Sequence, residues 1–586
     1  MNSLARTRLP AGPGASWWGF LLAGLGYGAF TALAMPPLDV WPLALTAMIP
    51  LAWAGCRASR RPWFSALLCG IGSLPMWVFE HFWIRNVTGP GFPLVCLYLA
   101  AYPAIFVWII ARARRTDWPI PMCVVVPFVW TALEVIRGEW VFDGYAWFLL
   151  GHPLIDAPLL AAPAAVFGTY FVSFLCAALA GAVVDSAGWS GVPRSWGGIG
   201  ALALVLGWPT LGLIGQLQAR PSAQARAVFR VGVVQTNLPQ DNKMGWSIAD
   251  RQRDMQRFLD LTRHVAAIRP APDVIAWPET MFPGRTLSEP AARVYRDLGV
   301  HWIVQTPEGE RRVSADSFRE NLLRTQNDLG IPMLIGSAEL EGDIAAALSQ
   351  DRRDGLIRRF NSVVMLDHGE AVSDRYDKIE LMPFGERIPH LWRWPSLQQA
   401  VLNLGAAGMS FDLTPGTRAR GLDVPVRRSD FPAGAVTVAT PICCEATRAD
   451  LCRRLVRGGD SGKRSLLMLS LSNDGWFGSW DGGRWQHLLD ARWRCVELAL
   501  PMVRCVNTGV SCHIDASGRI VTDRIGGAPV LNAREEGVFV ATVPVDPGHS
   551  PTTFERLGMI PAYTITLVGC LGTVVLWRRA RRTGAP

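Results

Sequence analysis

The sequence predicts a polytopic α-helical membrane domain, then a separate α/β domain on the outer side of that membrane, then one closing membrane helix. Three observations lead there. Apolar segments of spanning length crowd the first 216 residues and recur once near the C-terminus. Short apolar strands alternate with amphipathic helices between 217 and 555, the pattern of an α/β domain. The basic residues of the short loops fall on alternate connections, as membrane topology requires. At 586 residues the chain also exceeds one ordinary domain. The expected divisions are 1–216, 217–555 and 556–586.

The apolar segments lie near 17–35, 39–56, 63–80, 92–111, 119–136, 158–184, 197–216 and 561–577. A hydrocarbon core of ~30 Å takes roughly 20 helical residues, so about eight spans are expected. The second, third and fifth are the weakest; the fifth runs into Glu134 and Arg137, read as a pair at the membrane interface. The first segment lacks a small-residue cleavage site and leads straight into Met35-Pro36-Pro37, so it reads as an uncleaved helix. Arg6 and Arg8, Arg57, Arg60 and Arg61, Arg112, Arg114 and Arg115, Arg194, and Arg578, Arg579, Arg581 and Arg582 share one side of an eight-span arrangement, and the alternate loops carry fewer cations, with Arg85 and Arg137 as exceptions. That side is cytoplasmic by the positive-inside rule, which puts both termini inside and the 217–555 segment outside. The formal net charge of +9 is spread over these loops and the tail, where it meets anionic lipid; dispersed cations of this kind argue against nucleic-acid binding.

In the outer segment the strands are read at 229–235, 274–277, 332–336, 362–365, 435–440, 465–470 and 501–506, with a helix near 248–268. The polar stretch 283–330 reads as an insertion beside the active site, and loops near 283–330 or 395–415 are the expected gates for an acceptor. The twelve cysteines divide evenly between membrane segments and outer domain, where disulfides are permitted. No C-x-x-C pair occurs, and no metal is expected.

Three segments carry chemistry. Pro441-Ile442-Cys443-Cys444-Glu445 follows an apolar strand and precedes a polar helical pattern. A thiol at such a turn is expected to have a lowered pKa from the helix dipole. Trp277-Pro278-Glu279 ends another strand in a carboxylate. Lys378 is one of only three lysines, with Lys243 and Lys463, among 57 basic residues; a retained lysine suggests a need for a compact ammonium rather than a planar fork. A carboxylate can take the thiol proton, the thiolate can hold an acyl group, and an ammonium with backbone N–H groups can stabilise the oxyanion. Cys444 competes for the nucleophile's place; the strand-end position favours Cys443.

In order and local context these segments resemble the Glu-Lys-Cys triad of the nitrilase superfamily. The resemblance implies a four-layer αββα sandwich, with Glu279 as general base, Lys378 as oxyanion stabiliser and Cys443 as nucleophile. Joined to membrane helices, the chain resembles the apolipoprotein N-acyltransferase family over nearly its whole length. The matching motifs are Pro36 to Pro42, Leu133 to Gly138, Val234 to Gln240 with Trp246, Pro383 to Glu386, Ser472 to Gly478, Gln486-His487 and Ala491-Arg492.

That resemblance implies a ping-pong reaction without a cofactor in the bacterial inner membrane. A phospholipid in the bilayer donates an acyl group to Cys443, and the α-amine of a diacylglyceryl-cysteine apolipoprotein receives it. It also implies supporting roles for Glu386 and Glu445 beside the lysine, and a place for Trp246 near the acyl or acceptor pocket; with 25 tryptophans in the chain, a packing role for Trp246 is nearly as well supported. Cys444 stands where the family commonly has an aromatic residue. A membrane-tethered amidase and a catalytically silent envelope scaffold are the competing readings.

Overall fold

The computed structural model describes residues 16–58, 61–114, 120–220, 227–239, 246–306, 309–349, 356–383, 385–387, 413–431, 433–459, 462–522 and 530–582. Most of the 395–415 loop, and Arg6, Arg8, Arg60 and Arg115, lie outside them. The chain divides into two units, one of residues 1–85, 89–217 and 557–586, the other of 86–88 and 218–556.

In the first unit six helices are long and apolar enough to cross a membrane among the described residues: Trp17–Ala34, Pro62–Glu80, Gly91–Ala113, Thr169–Ser186, Arg194–Gln218 and Ile560–Arg579. The expected spans absent from these six are the second and the fifth, and proline shortens the second. The expected second span is a 3-10 turn, Trp41–Leu45, and a nine-residue helix, Ile49–Arg57, each with proline in its first turn. Nine residues rise only ~14 Å. The fifth is a helix of 14 residues, Met122–Val135, continued by a π-turn, Ile136–Trp140. The sixth is interrupted at Pro163 and at Gly168, whose φ of 84° breaks the helix before Thr169.

The first two long helices approach closely. A Cβ on Gly24 would stand 2.1 Å from the Cys69 carbonyl oxygen, and one on Gly72 2.2 Å from that of Leu21, which is the small-residue packing favoured between helices in lipid. The expected Glu134–Arg137 pair is corrected. Glu134 Oε1 accepts from Trp130 Nε1 (2.9 Å) and the Leu150 N–H (2.8 Å), whereas Arg137 Nη2 donates to the Trp147 and Phe148 carbonyls. Each side chain holds the 147–150 backbone, which offers them better partners than each other.

Among the described residues the second unit has fifteen strands: β1 (Ala227–Gln235), β2 (Val274–Trp277), β3 (His301–Thr306), β4 (Gly309–Ser314), β5 (Met333–Gly342), β6 (Ile357–Asp367), β7 (Glu370–Asp377), β8 (Leu422–Pro425), β9 (Ala435–Ala439), β10 (Leu467–Ser472), β11 (Met502–Val506), β12 (Ser511–Ile514), β13 (Ile520–Val521), β14 (Val530–Leu531) and β15 (Gly537–Val545). Six form one sheet in the order β15-β1-β2-β5-β6-β7. Seven form another in the order β13-β12-β11-β10-β9-β8, with β14 also on β12. Strands β1, β2 and β5 run parallel in the first sheet, as do β9, β10 and β11 in the second. Parallel strands require crossovers, and burial on both faces explains their near-continuous apolar runs.

The sheets meet face to face. Cys505 Sγ on β11 contacts the carbonyls of Val234 and Ala276 in the other sheet at 3.6 and 3.3 Å, and Ser511 donates to Gln235 Oε1. Helix Ile248–Ala267 covers the outer face of the six-stranded sheet. Ser247 caps it by accepting from the Asp250 N–H, and Met255, Phe258, Leu259, Thr262, Val265 and Ala266 form its buried stripe, the i, i+3/i+4 spacing of an amphipathic helix. Phe258 stacks on Trp277 with ring centroids 4.4 Å apart, and Trp277 Nε1 donates to Thr262 Oγ1 at 2.9 Å. A buried indole so held is worth ~3–5 kcal/mol against alanine, and it fixes the strand that ends at Glu279. Helices Ala449–Val456 and Asp481–Leu498 bury their apolar sides with the seven-stranded sheet. The result is an αββα sandwich. The 283–330 stretch contains helix Glu289–Asp297, the β3–β4 hairpin and helix Ser317–Leu329.

Candidate active site

The three residues expected to form a triad stand at or just beyond strand ends of both sheets. Glu279 follows β2 and Lys378 follows β7 in one; Cys443 lies four residues beyond β9 in the other. Glu279 and Lys378 are buried, at 4% and 1% exposure. Lys378 Nζ donates to Glu279 Oε1 at 3.3 Å and lies 2.9–3.0 Å from the carboxylate oxygens of Glu386. Burial opposes the ammonium charge. The fields of Cys444, Glu386, Glu279 and Cys443 outweigh it and hold the Lys378 pKa well above its ordinary value. A charged, compact donor therefore sits among Glu279, Glu386, Cys443 and Cys444, four of the five acidic and thiol groups that the sequence singles out.

Glu279 is fixed on both oxygens. Oε1 also accepts from Asn361 Nδ2 at 2.7 Å, and Oε2 from the Asn473 N–H at 2.9 Å. Asn361 Nδ2 reaches Glu386 Oε1 as well, at 3.3 Å, and Glu386 Oε2 accepts from the Met382 N–H. Sequence reasoning missed Asn361 and Asn473. The signal for Asn361 was present, because asparagine is disfavoured inside a strand and β6 is otherwise largely apolar at its buried positions. Gly336 on β5 lets the neighbouring backbone come close: a Cβ there would stand 2.2 Å from the Pro278 carbonyl oxygen and 2.7 Å from Glu279 Cα. Gly336→Ala is expected to push Glu279 out of place and lower the acylation rate ~10²-fold. Single-turnover kinetics on a variant of near-native thermal stability would check this; a native rate would show that the carboxylate position tolerates the shift.

Cys443 opens a 3-10 turn, Cys443–Thr447, with its backbone in the left-handed region at φ 53°. Such a conformation costs a residue with a Cβ ~1–2 kcal/mol, so the surroundings must enforce it. Glu445 does much of this. It is buried and accepts from the N–H groups of Ile379 (2.7 Å), Glu380 (3.0 Å) and Ile442 (2.8 Å) and from the Tyr376 hydroxyl (2.9 Å). It thereby ties the cysteine turn to the lysine strand. Burial raises its pKa to about 7 against the pull of these donors and of Lys378.

The expected lowering of the thiol pKa is corrected. A hydrogen bond with Cys444, burial and the Glu279 charge raise the Cys443 pKa well above its ordinary value, and Lys378 only partly offsets them. The regular helix begins at Ala449, beyond the short 3-10 turn, so its dipole acts from too far away. These surroundings favour the protonated thiol at Cys443. Cys444 lies beside both Cys443 and Lys378, with Sγ 3.6 Å from the Glu380 carbonyl. All twelve cysteines are free.

Trp246 is not brought to this cluster by any hydrogen bond or ring contact. Its indole donates to Asp254 at 2.7 Å, and the Arg251 guanidinium lies over its ring.

Comparison with known proteins places this geometry. Residues 27–182 match the family described as Apolipoprotein N-acyltransferase N-terminal domain, and residues 230–547 match Carbon-nitrogen hydrolase. The apolipoprotein N-acyltransferase of Azotobacter vinelandii is 30% identical over 97% of this chain and 96% of its own. That of Rhodopseudomonas palustris is 28% identical, over 98% of each chain. Among solved structures, an amidase from Nesterenkonia sp. AN1 is 15% identical, covering 54% of this chain and 90% of its own, with a TM-score of 0.33. A member of branch 10 of the nitrilase superfamily from Saccharomyces cerevisiae is 15% identical over 57% and 94%, with a TM-score of 0.31. With membrane helices, a carbon-nitrogen hydrolase domain and full-length likeness to these relatives, the chain belongs to the apolipoprotein N-acyltransferase family.

Proposed function

We propose that this enzyme transfers a fatty acyl chain from a membrane phospholipid, through a thioester on Cys443, to the α-amine of an apolipoprotein's N-terminal diacylglyceryl-cysteine. The observation that carries the mechanism is the buried Lys378 bridging Glu279 and Glu386 at strand ends, together with the neighbouring, strained Cys443 turn.

In the first half-reaction Glu279 takes the Cys443 proton as sulfur attacks the ester carbonyl. Lys378 stabilises the oxyanion. Collapse breaks the ester C–O bond, and the leaving lysophospholipid oxygen takes the proton back from Glu279. In the second half-reaction the incoming ammonium loses one proton to solvent, the free amine attacks the thioester carbonyl while Glu279 takes a second proton from its nitrogen, and collapse breaks the C–S bond with sulfur taking that proton from Glu279. The acyl group goes from ester to thioester to amide, and the last step is downhill without a nucleotide. Glu386 and Glu445 are positioning groups for Lys378 and for the Cys443 turn.

The catalytic domain belongs on the periplasmic side of the inner membrane with both termini cytoplasmic, supported by the arginines of alternate short loops. Intact-mass spectrometry after incubation with phospholipid tests the reading. A fatty-acyl mass gain is expected on the native protein, absent from Cys443→Ala and discharged by a diacylglyceryl-cysteine peptide. Discharge equally fast by water would instead indicate a hydrolase. No adduct on the folded protein would favour a scaffold.

A further inference from the structure

The left-handed turn at Cys443 is held from a second direction by groups that the acyl-transfer steps do not use. His487, on helix Asp481–Leu498, sits with Nε2 3.1 Å from the Cys443 carbonyl oxygen and Nδ1 2.9 Å from Asp474 Oδ1. Both side chains are buried, at 2% and 1% exposure. Asp474, just past β10, also accepts from Ser472 Oγ at 2.8 Å and faces Arg504 Nη2 at 3.5 Å. Arg504, on β11, donates to the His487 carbonyl at 3.1 Å. Three segments of the seven-stranded layer therefore converge on one imidazole and aim it at the nucleophile's own peptide group.

We propose that His487, anchored by Asp474, is a positioning residue for the nucleophile: as an imidazolium it donates to the Cys443 carbonyl and so locks the backbone turn that aims the thiol. The protonation state follows from the partners. A carbonyl oxygen can only accept. The Asp474 carboxyl is ionised: burial would raise its pKa, but the charge and hydrogen bond of His487, then Arg504 and Ser472, bring it down to about 2. With acceptors on both sides, both ring nitrogens must carry hydrogen. A neutral ring would turn a lone pair toward one of them, and a buried polar group so mismatched is costly. The charge-assisted bond to the carbonyl opposes relaxation of φ at Cys443 from 53° to the ordinary negative range.

The inference rests on Cys443 being the nucleophile, and the test separates the two. In the full-length protein, two rates are measured: acyl-enzyme formation from phospholipid, and alkylation of Cys443 by a small haloacetamide, with the modified residue mapped by peptide mass. His487→Phe, which keeps the ring and loses both donors, is expected to slow both rates ~10-fold or more, with KM for the lipid within about twofold. His487→Gln, which keeps one N–H able to reach the carbonyl, is expected to recover most of the loss. A native acylation rate in His487→Phe overturns the inference. So do equal losses in both variants with native alkylation. If His487→Phe does not fold, Asp474→Asn decides, since it removes the partner that demands the second ring proton: about threefold to tenfold slower acylation supports the inference and a native rate overturns it. Alkylation mapped to Cys444 rather than Cys443 would instead remove the nucleophile assignment on which it rests.

Discussion

Glu279→Gln is expected to lower acyl-enzyme formation by ~10³-fold, within the span that a positioned base contributes. Burial is usually an argument against charge, yet here it favours this base. Beside the charged Lys378, moving the Cys443 proton onto the Glu279 carboxylate relocates one negative charge inside the cluster without creating a new one. The raised thiol pKa measures the cost of losing that proton to solvent, which the internal transfer avoids. In the glutamine variant the thiol must ionise to solvent. Its acylation rate should therefore climb with pH through the alkaline range, where the native rate is flatter. The sign of the residual shift also follows: removing the Glu279 charge removes one of the groups raising the Cys443 pKa, so the variant thiol should titrate lower than the native one. Single-turnover rates from neutral to alkaline pH, with thiol titration by alkylation, would check both points. A variant within tenfold of native at neutral pH would remove Glu279 as the base.

Lys378→Met is expected to be the most damaging change to stability as well as activity. The methionine fills similar volume but leaves Glu279 and Glu386 facing each other in a buried site without their shared cation. Stranding buried charge in this way costs ~3–5 kcal/mol, part of which the carboxyls can avoid by taking up a proton. Loss of the oxyanion donor should add ~10²–10³-fold in rate. Lys378→Arg is not expected to rescue it, because a planar guanidinium cannot place its donors where the three hydrogens of one ammonium reach two carboxylates. Thermal unfolding in detergent beside acyl-enzyme yield measures both effects. A stable, active Lys378→Met variant would refute the assignment.

Much of this molecule was legible in its sequence because the signals are local. Apolar strands ending near Glu279 and Cys443 mark those two, and the rarity of lysine among so many arginines marks Lys378. Strands expected at 229–235 and 274–277 lie at Ala227–Gln235 and Val274–Trp277. What local pattern could not supply was partnership across the chain. Asn361 and Asn473 meet Glu279 over 82 and 194 residues of separation, and His487 meets Cys443 over 44. The thiol pKa was misjudged for the same reason: the nearby helix is visible in sequence, while burial, Cys444 and the distant Glu279 decide the outcome. Hydropathy counts eight spans where six long apolar helices stand among the described residues, because it sums apolar residues without weighing the prolines that open the short elements of the second span or the π-turn that follows the fifth.

The division of the reactive groups between the two stacked sheets has a consequence for how the chain matures. Glu279 and Lys378 belong to one layer and Cys443 to the other, so neither layer alone contains a competent centre. Under the proposed mechanism, a chain whose layers have not yet docked carries a cysteine with no base at hand, unable to attack an ester. Reactivity arises only when the sandwich closes, and the same closure shelters the sulfur. Chemical competence thus becomes a report on completed folding, and a chain stalled midway cannot strip acyl groups from the membrane around it.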